Sequence, residues 1–222
     1  MKTRAINKRW NMAYFPMFIN IEGADCLVVG GGRIALKKVR VLRDFGARIF
    51  VAAPVICDEI RLMSQETENI YIYERQTQDE DFTGMRLVVA ATDSKAVNRE
   101  IAGKAKELGI PVNAVDSIED CTFIFPSYHR EKDVVAAYST GGNSPVITQY
   151  LRDKGRQSLT EFVGDMAEFM GDIRPYVKEH TDSESVRKAI YRKIFELGMN
   201  TGRIPEDSQV EEIIKSVKNS LE

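Results

Sequence analysis

A run of three glycines between an apolar segment and a helix-like segment is the feature that most constrains the fold of this chain. Residues 25–30 read DCLVVG, a composition typical of a strand buried on both faces. Residues 33–45 place apolar side chains at helical spacing, and Gly46 follows as a C-cap glycine. Residues 48–53 are apolar again. The order strand, glycine turn, helix, strand predicts the opening of a dinucleotide-binding fold.

The glycine turn matches the fingerprint G-x-G-x-x-A through Gly30, Gly32 and Ala35, with Gly31 between the two glycines. Gly30 permits the tight turn, Gly32 lets the backbone approach a pyrophosphate, and Ala35 lets the helix pack close to the strand. The N-terminus of that helix offers unpaired N–H groups to the phosphates. Because the motif is short, an interpretation in which the glycines only form a tight turn stays open.

The same alternation of strands and helices continues to about residue 115. Apolar strands separated by helices predict a parallel sheet covered on both faces, and right-handed crossovers then give a doubly wound, Rossmann-like α/β domain. The other predicted elements of this domain are helices at 56–66 and 96–109 and strands at 70–75, 86–92 and 111–115.

After residue 116 the pattern changes to a small all-β region. Segments 121–128 and 133–140 are predicted as two strands joined by a turn at 129–132, with no helix between them. His129 is therefore expected to be an exposed turn residue. A short hairpin leaves strand edges that a second copy of the chain can cover, which predicts a homodimer.

The remainder of the chain is predicted to be helical. Ser144 as N-cap and Pro145 as first helical residue begin a helix that Gly155 is expected to interrupt. The capping-box pattern SLTE at 158–161 opens the next helix, which runs toward Pro175. Two further helices are predicted at 183–197 and 206–220. The predicted domains are a Rossmann domain at 1–120, a dimerisation region at 121–155 and an all-helical C-terminal domain at 156–222.

Composition excludes several classes of partner. The formal net charge of −2 argues against a nucleic-acid or membrane-surface partner. Three cysteines without a CxxC pair, and only two histidines, predict neither a metal site nor a disulfide framework. The N-terminal segment MKTRAINKRWNMAYFPMF is basic at Lys2, Arg4, Lys8 and Arg9. It lacks the apolar run of a signal peptide, and its basic tail is expected to be a solvated extension. We therefore expect a cytoplasmic protein.

The end of the second predicted strand departs from the usual pattern. It is followed by Pro54 and Val55, where NAD-binding folds commonly place an Asp or Glu on the ribose. Either backbone groups of the 53–55 turn hold the ribose, or the cofactor is bound weakly. No Arg follows the strand to clamp a 2′-phosphate, so NAD is favoured over NADP.

Two polar segments are further site candidates, each with two open interpretations. Thr92 ends a predicted strand and either contacts the cofactor or, with Asp93, caps the next helix. The segment STGGNSP either forms a substrate-binding loop or serves as a turn and N-cap. Its candidate substrate-binding residues are Ser139, Thr140, Asn143 and Ser144.

Several motifs in order resemble one known family. The segments FPMFINIEGADCLVVGGGRIALKKV, LVVAATDS, VNAVDSIEDCTFIFPS and AYSTGGNSPV are similar to the siroheme synthase N-terminal module, which is precorrin-2 dehydrogenase/sirohydrochlorin ferrochelatase. The resemblance covers residues 14 to about 154. The glycine motif is generic, whereas FIFPS with STGGNSPV after a Rossmann domain is specific.

The resemblance implies an NAD-dependent oxidation of precorrin-2 to sirohydrochlorin by a homodimer, and in some members insertion of Fe²⁺ by the same site. It implies cofactor contacts at Arg33 and Ile34 and at Pro54 and Val55, and it places the family's key carboxylate on Asp116. Loss of a hydride from a reduced macrocycle must be accompanied by loss of a proton, so a general base is useful there. The alternative is that Asp116 only forms a turn.

Other classes of function remain open at this stage. A non-catalytic NAD sensor normally keeps the acid after the second strand and needs no FIFPS…STGGNSP segment. An unrelated NAD-dependent dehydrogenase would ignore tetrapyrroles. Basic residues after the sheet either meet the carboxylates of the substrate or form a solvated face: Arg130, Lys132, Arg152, Lys154 and Arg156.

Overall fold

The computed structural model describes residues 14–221 and separates into two compact units, one ending at Phe125 and the other beginning at Pro126. The basic residues of the predicted N-terminal extension lie outside the described residues. No helix in the described part of the chain is both long enough and apolar enough to span a bilayer.

The first unit contains a five-stranded parallel sheet with the strand order β3-β2-β1-β4-β5. Val29 pairs with Ala52 on one side and with Ala90 on the other, so the carboxyl ends of the three central strands are level. The strand order reverses between β1 and β4, which is where open α/β sheets bind ligands. The strands are β1 Asp25–Val29, β2 Arg48–Ala52, β3 Ile70–Tyr73, β4 Leu87–Ala90 and β5 Val112–Ala114.

Helices cover both faces of this sheet. Cys26 and Val28 of β1 pack with one pair of helices, α1 Arg33–Asp44 and α2 Asp58–Glu66. Leu27 and Val29 pack on the opposite face with α3 Lys95–Glu107, because successive side chains of a strand point to opposite faces. The predicted doubly wound α/β domain is confirmed. Two short 3₁₀ helices, Asp79–Phe82 and Ile118–Asp120, lie in its loops.

The second unit joins an antiparallel hairpin to a helical bundle. Its elements are β6 Ser127–Glu131, β7 Val134–Tyr138, α4 Pro145–Ser158, α5 Glu161–Asp172, α6 Arg174–His180, α7 Glu184–Thr201 and α8 Asp207–Leu221. The bundle has its own core, which includes Met166, Val177, Ile190 and Ile214. The division of this unit into a dimerisation region and a helical domain stays a prediction.

The hairpin lies later in the chain than the sequence predicted. Residues 121–126 are not part of a strand, because Phe123 and Phe125 pack against the core of the first unit. Their apolar character therefore reflects packing and not strand pairing. The chain turns at residues 132–133, where Lys132 has a left-handed φ of 51°, and not over the whole of 129–132.

His129 consequently lies within β6, and the prediction of an exposed turn residue is wrong. Its side chain is 13% exposed, and Nε2 lies 3.2 Å from Glu131 Oε1. The same nitrogen lies 3.0 Å from the carbonyl oxygen of Leu159.

Gly155 does not interrupt α4, contrary to the sequence prediction. A Cβ at this position would lie 3.0 Å from Cζ of Tyr138 and closer still to its hydroxyl. The glycine therefore lets β7 approach the helix. Because α4 continues to Ser158, α5 begins at Thr160 as its N-cap and not at Ser158. Ser144 and Pro145 begin α4 as predicted.

Candidate functional site

The glycine turn lies at the carboxyl end of β1, beside β4. Gly30 has a φ of 124°, and its N–H donates to the carbonyl of Ala52 at 3.0 Å. A Cβ on Gly30 would lie 2.6 Å from the carbonyl carbon of Ala91 and closer still to the oxygen. Only glycine fits, because the backbone has a positive φ and a second chain segment touches it.

Gly31 is held equally closely on the other side of the turn. A Cβ there would lie 2.7 Å from Cα of Ile56. The Gly31 carbonyl accepts a hydrogen bond of 2.9 Å from the N–H of Cys57. The fingerprint treats this position as unrestricted, yet here it joins the glycine turn to the loop that follows β2.

Gly32 faces open space and forms the N-cap of α1. A Cβ on Gly32 would meet no atom of the described chain within 4 Å. No side chain caps the helix among the described residues, and its first turn carries no acidic residue. Leu36 is bonded to the Gly32 carbonyl, so the N–H groups of Arg33 and Ile34 precede the intrahelical bonds. This open, uncapped and positive helix end fits the pyrophosphate of a dinucleotide.

The segment after β2 offers backbone groups and no acid. Pro54 and Val55 are both exposed, and Val55 keeps 78% of its surface. Between the end of β2 and Asp58, the first residue of α2, the chain has no Asp or Glu. Because Val55 and Ile56 lie close to Gly31, this backbone lies beside the glycine turn. The expectation that backbone groups at 53–55 hold the ribose stays a prediction.

The loop after β4 is fixed by Asn98, a residue that the sequence analysis missed. The Asn98 amide oxygen accepts from Thr92 N at 2.9 Å and from Thr92 Oγ1 at 2.7 Å. Its Nδ2 donates to Thr92 O at 3.0 Å. Ser94, and not Thr92 or Asp93, caps α3. The sequence did contain a signal for this role. Asn98 is a polar residue on the same helix face as the apolar Ile101 and Ala105, which predicts a buried side chain that needs hydrogen-bond partners.

Asp116 lies two residues beyond β5, exposed and with a left-handed φ of 62°. Charged side chains lie next to this turn. Arg99 Nε is 3.5 Å from Asp120 Oδ2. A hydrogen bond from Ser117, followed by the charge of Arg99, lowers the pKa of Asp120. An open cleft at this turn is lined by Lys95, Asn98, Arg99, Val115, Asp116, Ser117, Glu119 and Asp120.

The four polar residues predicted to bind substrate belong to the second unit and form one turn with an N-cap. Thr140 Oγ1 accepts from Ser144 N at 3.0 Å, and Asn143 Nδ2 donates to Thr140 O at 2.7 Å. Ser139 Oγ accepts from Gly141 N at 3.1 Å. Ser144 Oγ caps α4 by accepting from Ile147 N. These bonds favour the structural interpretation, and the substrate-binding role stays a prediction.

Several of the basic candidates are engaged within the second unit. Lys132 contacts both Asp165 and Glu168, and these carboxylates hold its pKa above the ordinary value. Arg152 pairs with Asp153 at 3.0 Å. Among the described residues, no group of three or more His, Cys, Asp or Glu side chains is placed to hold a metal ion.

Comparison with known proteins matches residues 17–127 to a family model described as "Putative NAD(P)-binding". These residues contain the whole glycine turn, the sheet and Asp116. The chain belongs to this NAD(P)-binding family. The predicted dinucleotide cofactor is thereby confirmed at the level of NAD(P), in agreement with the open N-terminus of α1.

The chain is also similar to curated siroheme synthases. It is 38% identical to the siroheme synthase of Nitrosospira multiformis over 83% of this chain and 40% of that protein. It is 33% identical to the siroheme synthase of Photorhabdus laumondii over 95% of this chain and 44% of that protein. The resemblance stated from the motifs is confirmed. The chain spans about two fifths of the length of these relatives.

A solved structure supports the fold of both units. "SirC, precorrin-2 dehydrogenase" matches with a TM-score of 0.69 and 22% identity, covering 93% of this chain and all of that one. At this identity the likeness concerns the fold, and it agrees with a Rossmann-like sheet, a small hairpin and a helical C-terminal region.

Proposed function

We propose that the chain oxidises precorrin-2 to sirohydrochlorin with NAD in siroheme biosynthesis. The observation that carries the proposal is the exposed carboxylate of Asp116, in a cleft at the sheet edge where the glycine turn also lies. Support comes from the similarity to siroheme synthases and from the fold shared with a protein named precorrin-2 dehydrogenase.

Separate groups of the chain bind the cofactor and accept the proton. The N–H groups at the start of α1, from Arg33 and Ile34, hold the pyrophosphate, and the backbone at Pro54 and Val55 holds the ribose. NAD, when bound, accepts a hydride from the substrate. Asp116, as a carboxylate, takes the proton that the macrocycle loses in the same oxidation. Its exposure in the cleft gives it access to a bulky substrate.

The cleft carries charge of both signs, since two cations and three carboxylates line it. Lys95 and Arg99 line the same cleft as Asp116, and precorrin-2 carries many carboxylates. Arg99 is shared with Glu119 and Asp120, at 3.4 and 3.5 Å. Lys95 is exposed at the first position of α3, so it is the cation we assign to a substrate carboxylate.

The test is an assay of purified protein with precorrin-2 and NAD, followed by NADH absorbance. Asp116→Ala should lower kcat by about 10²- to 10⁴-fold, because the proton acceptor is lost. The dissociation constant for NAD should change little. Glu119→Ala removes a neighbouring carboxylate that is 78% exposed and should keep the rate within a few-fold. Wild-type rates in Asp116→Ala would exclude this base, and absence of NADH with the parent protein would exclude the activity.

Insertion of Fe²⁺ into sirohydrochlorin is a separate activity that the same assay decides. Adding Fe²⁺ after the oxidation step should give the absorbance of siroheme faster with protein than without it. The alternatives of an NAD sensor or an unrelated dehydrogenase predict no NADH from precorrin-2, and the matches to siroheme synthases do not favour them. Three free cysteines suit the cytoplasmic location that we also propose.

A further inference from the structure

The segment that carries Asp116 is a loop closed by its own ends. The N–H of Val112 donates to Thr122 Oγ1 at 2.7 Å. In return the N–H of Thr122 donates to Val112 O at 2.8 Å. The chain therefore leaves β5, forms the Asp116 turn and comes back to the same strand after ten residues.

The thiol of Cys121 lies inside this loop and contacts both sides of Asp116. On the side before Asp116, Sγ lies 3.2 Å from Ala114 N, 3.2 Å from Ala114 O and 3.5 Å from Asn113 Nδ2. On the side after it, Sγ lies 3.2 Å from Ser117 O. A thiol both donates and accepts hydrogen bonds. One side chain thus links the residues that flank the turn.

The protonation of Cys121 agrees with this arrangement. The side chain is half-buried and packs against the core between the sheet and α3. Burial raises the pKa of the thiol, so its proton is retained at neutral pH and is available to the carbonyl of Ala114 or Ser117. The two N–H donors then bond to the sulfur.

The backbone of Asp116 is in the left-handed region, which is uncommon for non-glycine residues although Asp adopts it more readily than most. A left-handed φ of 62° at a non-glycine residue persists only when the surroundings over-determine it. A long backbone bond of 3.4 Å from Ser117 N to Ala114 O closes the turn, and among the described side chains the Cys121 thiol bridges the same two residues.

We propose that Cys121 is a positioning residue for Asp116, holding the turn in the left-handed conformation that aims the carboxylate into the cleft. The proposal rests on the proposed function, in which Asp116 is the base. It assigns no chemistry to the sulfur itself.

The first experiment needs no substrate. Hydrogen exchange of the 113–118 backbone is compared in the wild type, Cys121→Ala, Cys121→Ser and Cys26→Ala. Cys26 is fully buried in β1, so its alanine variant controls for loss of a packed thiol elsewhere. Cys121→Ala should release the Ala114 amide to faster exchange, whereas Cys121→Ser should recover part of the protection and Cys26→Ala should leave it unchanged. Unchanged exchange in Cys121→Ala overturns the proposal.

The second experiment is a double-mutant cycle on the oxidation of precorrin-2. Cys121→Ala should lower kcat by roughly 10- to 100-fold, as expected for a misplaced catalytic group, with KM for NAD unchanged. In an Asp116→Ala background the same change should cost nothing further, because no carboxylate is left to position. An equal loss in both backgrounds overturns the positioning role. A parent protein without activity overturns the proposed function and the catalytic half of this proposal, while the exchange experiment still decides whether the thiol holds the turn.

Discussion

At the scale of single residues, three consecutive glycines meet three different surroundings. A Cβ on Gly30 would meet the backbone of Ala91, a Cβ on Gly31 would meet the backbone after β2, and a Cβ on Gly32 would meet no atom within 4 Å. The first two contacts hold the loops after β2 and β4 against β1, and the third position leaves room for a ligand. Structural and binding roles are therefore separable by substitution.

Gly31→Ala should destabilise the protein, whereas Gly32→Ala should weaken only NAD binding. The new Cβ at position 31 would overlap backbone, a kind of overpacking that typically costs about 1–3 kcal/mol. The Cβ at position 32 would project into open space at the start of α1. Urea unfolding and NAD titration calorimetry measure the two effects.

Gly103→Ala is the control, because position 103 is helical and a Cβ there meets nothing within 4 Å. It should raise stability by up to about 1 kcal/mol without changing NAD affinity. Wild-type NAD affinity in Gly32→Ala would show that the pyrophosphate does not lie at this position.

At the scale of elements, the sheet with its helices was largely predictable, and the hairpin was predicted with its first strand and its turn too early in the chain. Buried strands are predicted by short apolar runs, and amphipathic helices by apolar residues that recur every three or four positions. The segment 121–126 has the composition of a strand, but it packs its phenylalanines on a core instead of pairing. Gly155 resembles a helix breaker, but it serves a contact with Tyr138 on another element.

Asn98→Ala should loosen the connection between β4 and α3. The change leaves the part-buried Thr92 N without its acceptor, whereas Thr92 Oγ1 keeps the Ser94 carbonyl at 3.1 Å. An unsatisfied buried donor costs about 1–3 kcal/mol, and a part-buried one should cost the lower end of that range. Urea unfolding measures the loss, and NAD affinity should also fall if Thr92 lies at the cofactor. Val97→Ala, at a position that is 40% exposed, should change stability much less. Equal losses for the two variants would contradict this role of Asn98.

At the scale of the whole molecule, α4 presents an apolar face that no described residue buries. None of its residues is buried. The side chains of Val146 and Tyr150 are large and apolar, yet 74% and 60% of their surface is exposed. Ile147 and Leu151 are also four residues apart, so they form a second apolar row beside the row of Val146 and Tyr150. A contiguous exposed apolar surface is typical of a protein interface, which agrees with the predicted homodimer.

Light scattering at micromolar concentration should give about twice the mass of the 25.1 kDa chain. Val146→Glu should shift the mass toward a single chain, because the glutamate would place a charge in the apolar interface. Gln149→Glu adds a charge to the same helix and should leave the dimer intact. A monomeric parent protein would exclude the dimer.

The sequence by itself determined the doubly wound sheet, the dinucleotide turn and the place of Asp116 after the last strand, because each depends on neighbours within a few residues. Tertiary structure alone decided the close contact of Gly31, the hydrogen bonds between Asn98 and Thr92, the part-buried place of His129 and the contacts of the Cys121 thiol on both sides of Asp116. Those features depend on contacts between separate elements, where a single distance or a single rotated side chain changes the outcome. The local periodicity of a sequence does not predict the distances between separate elements.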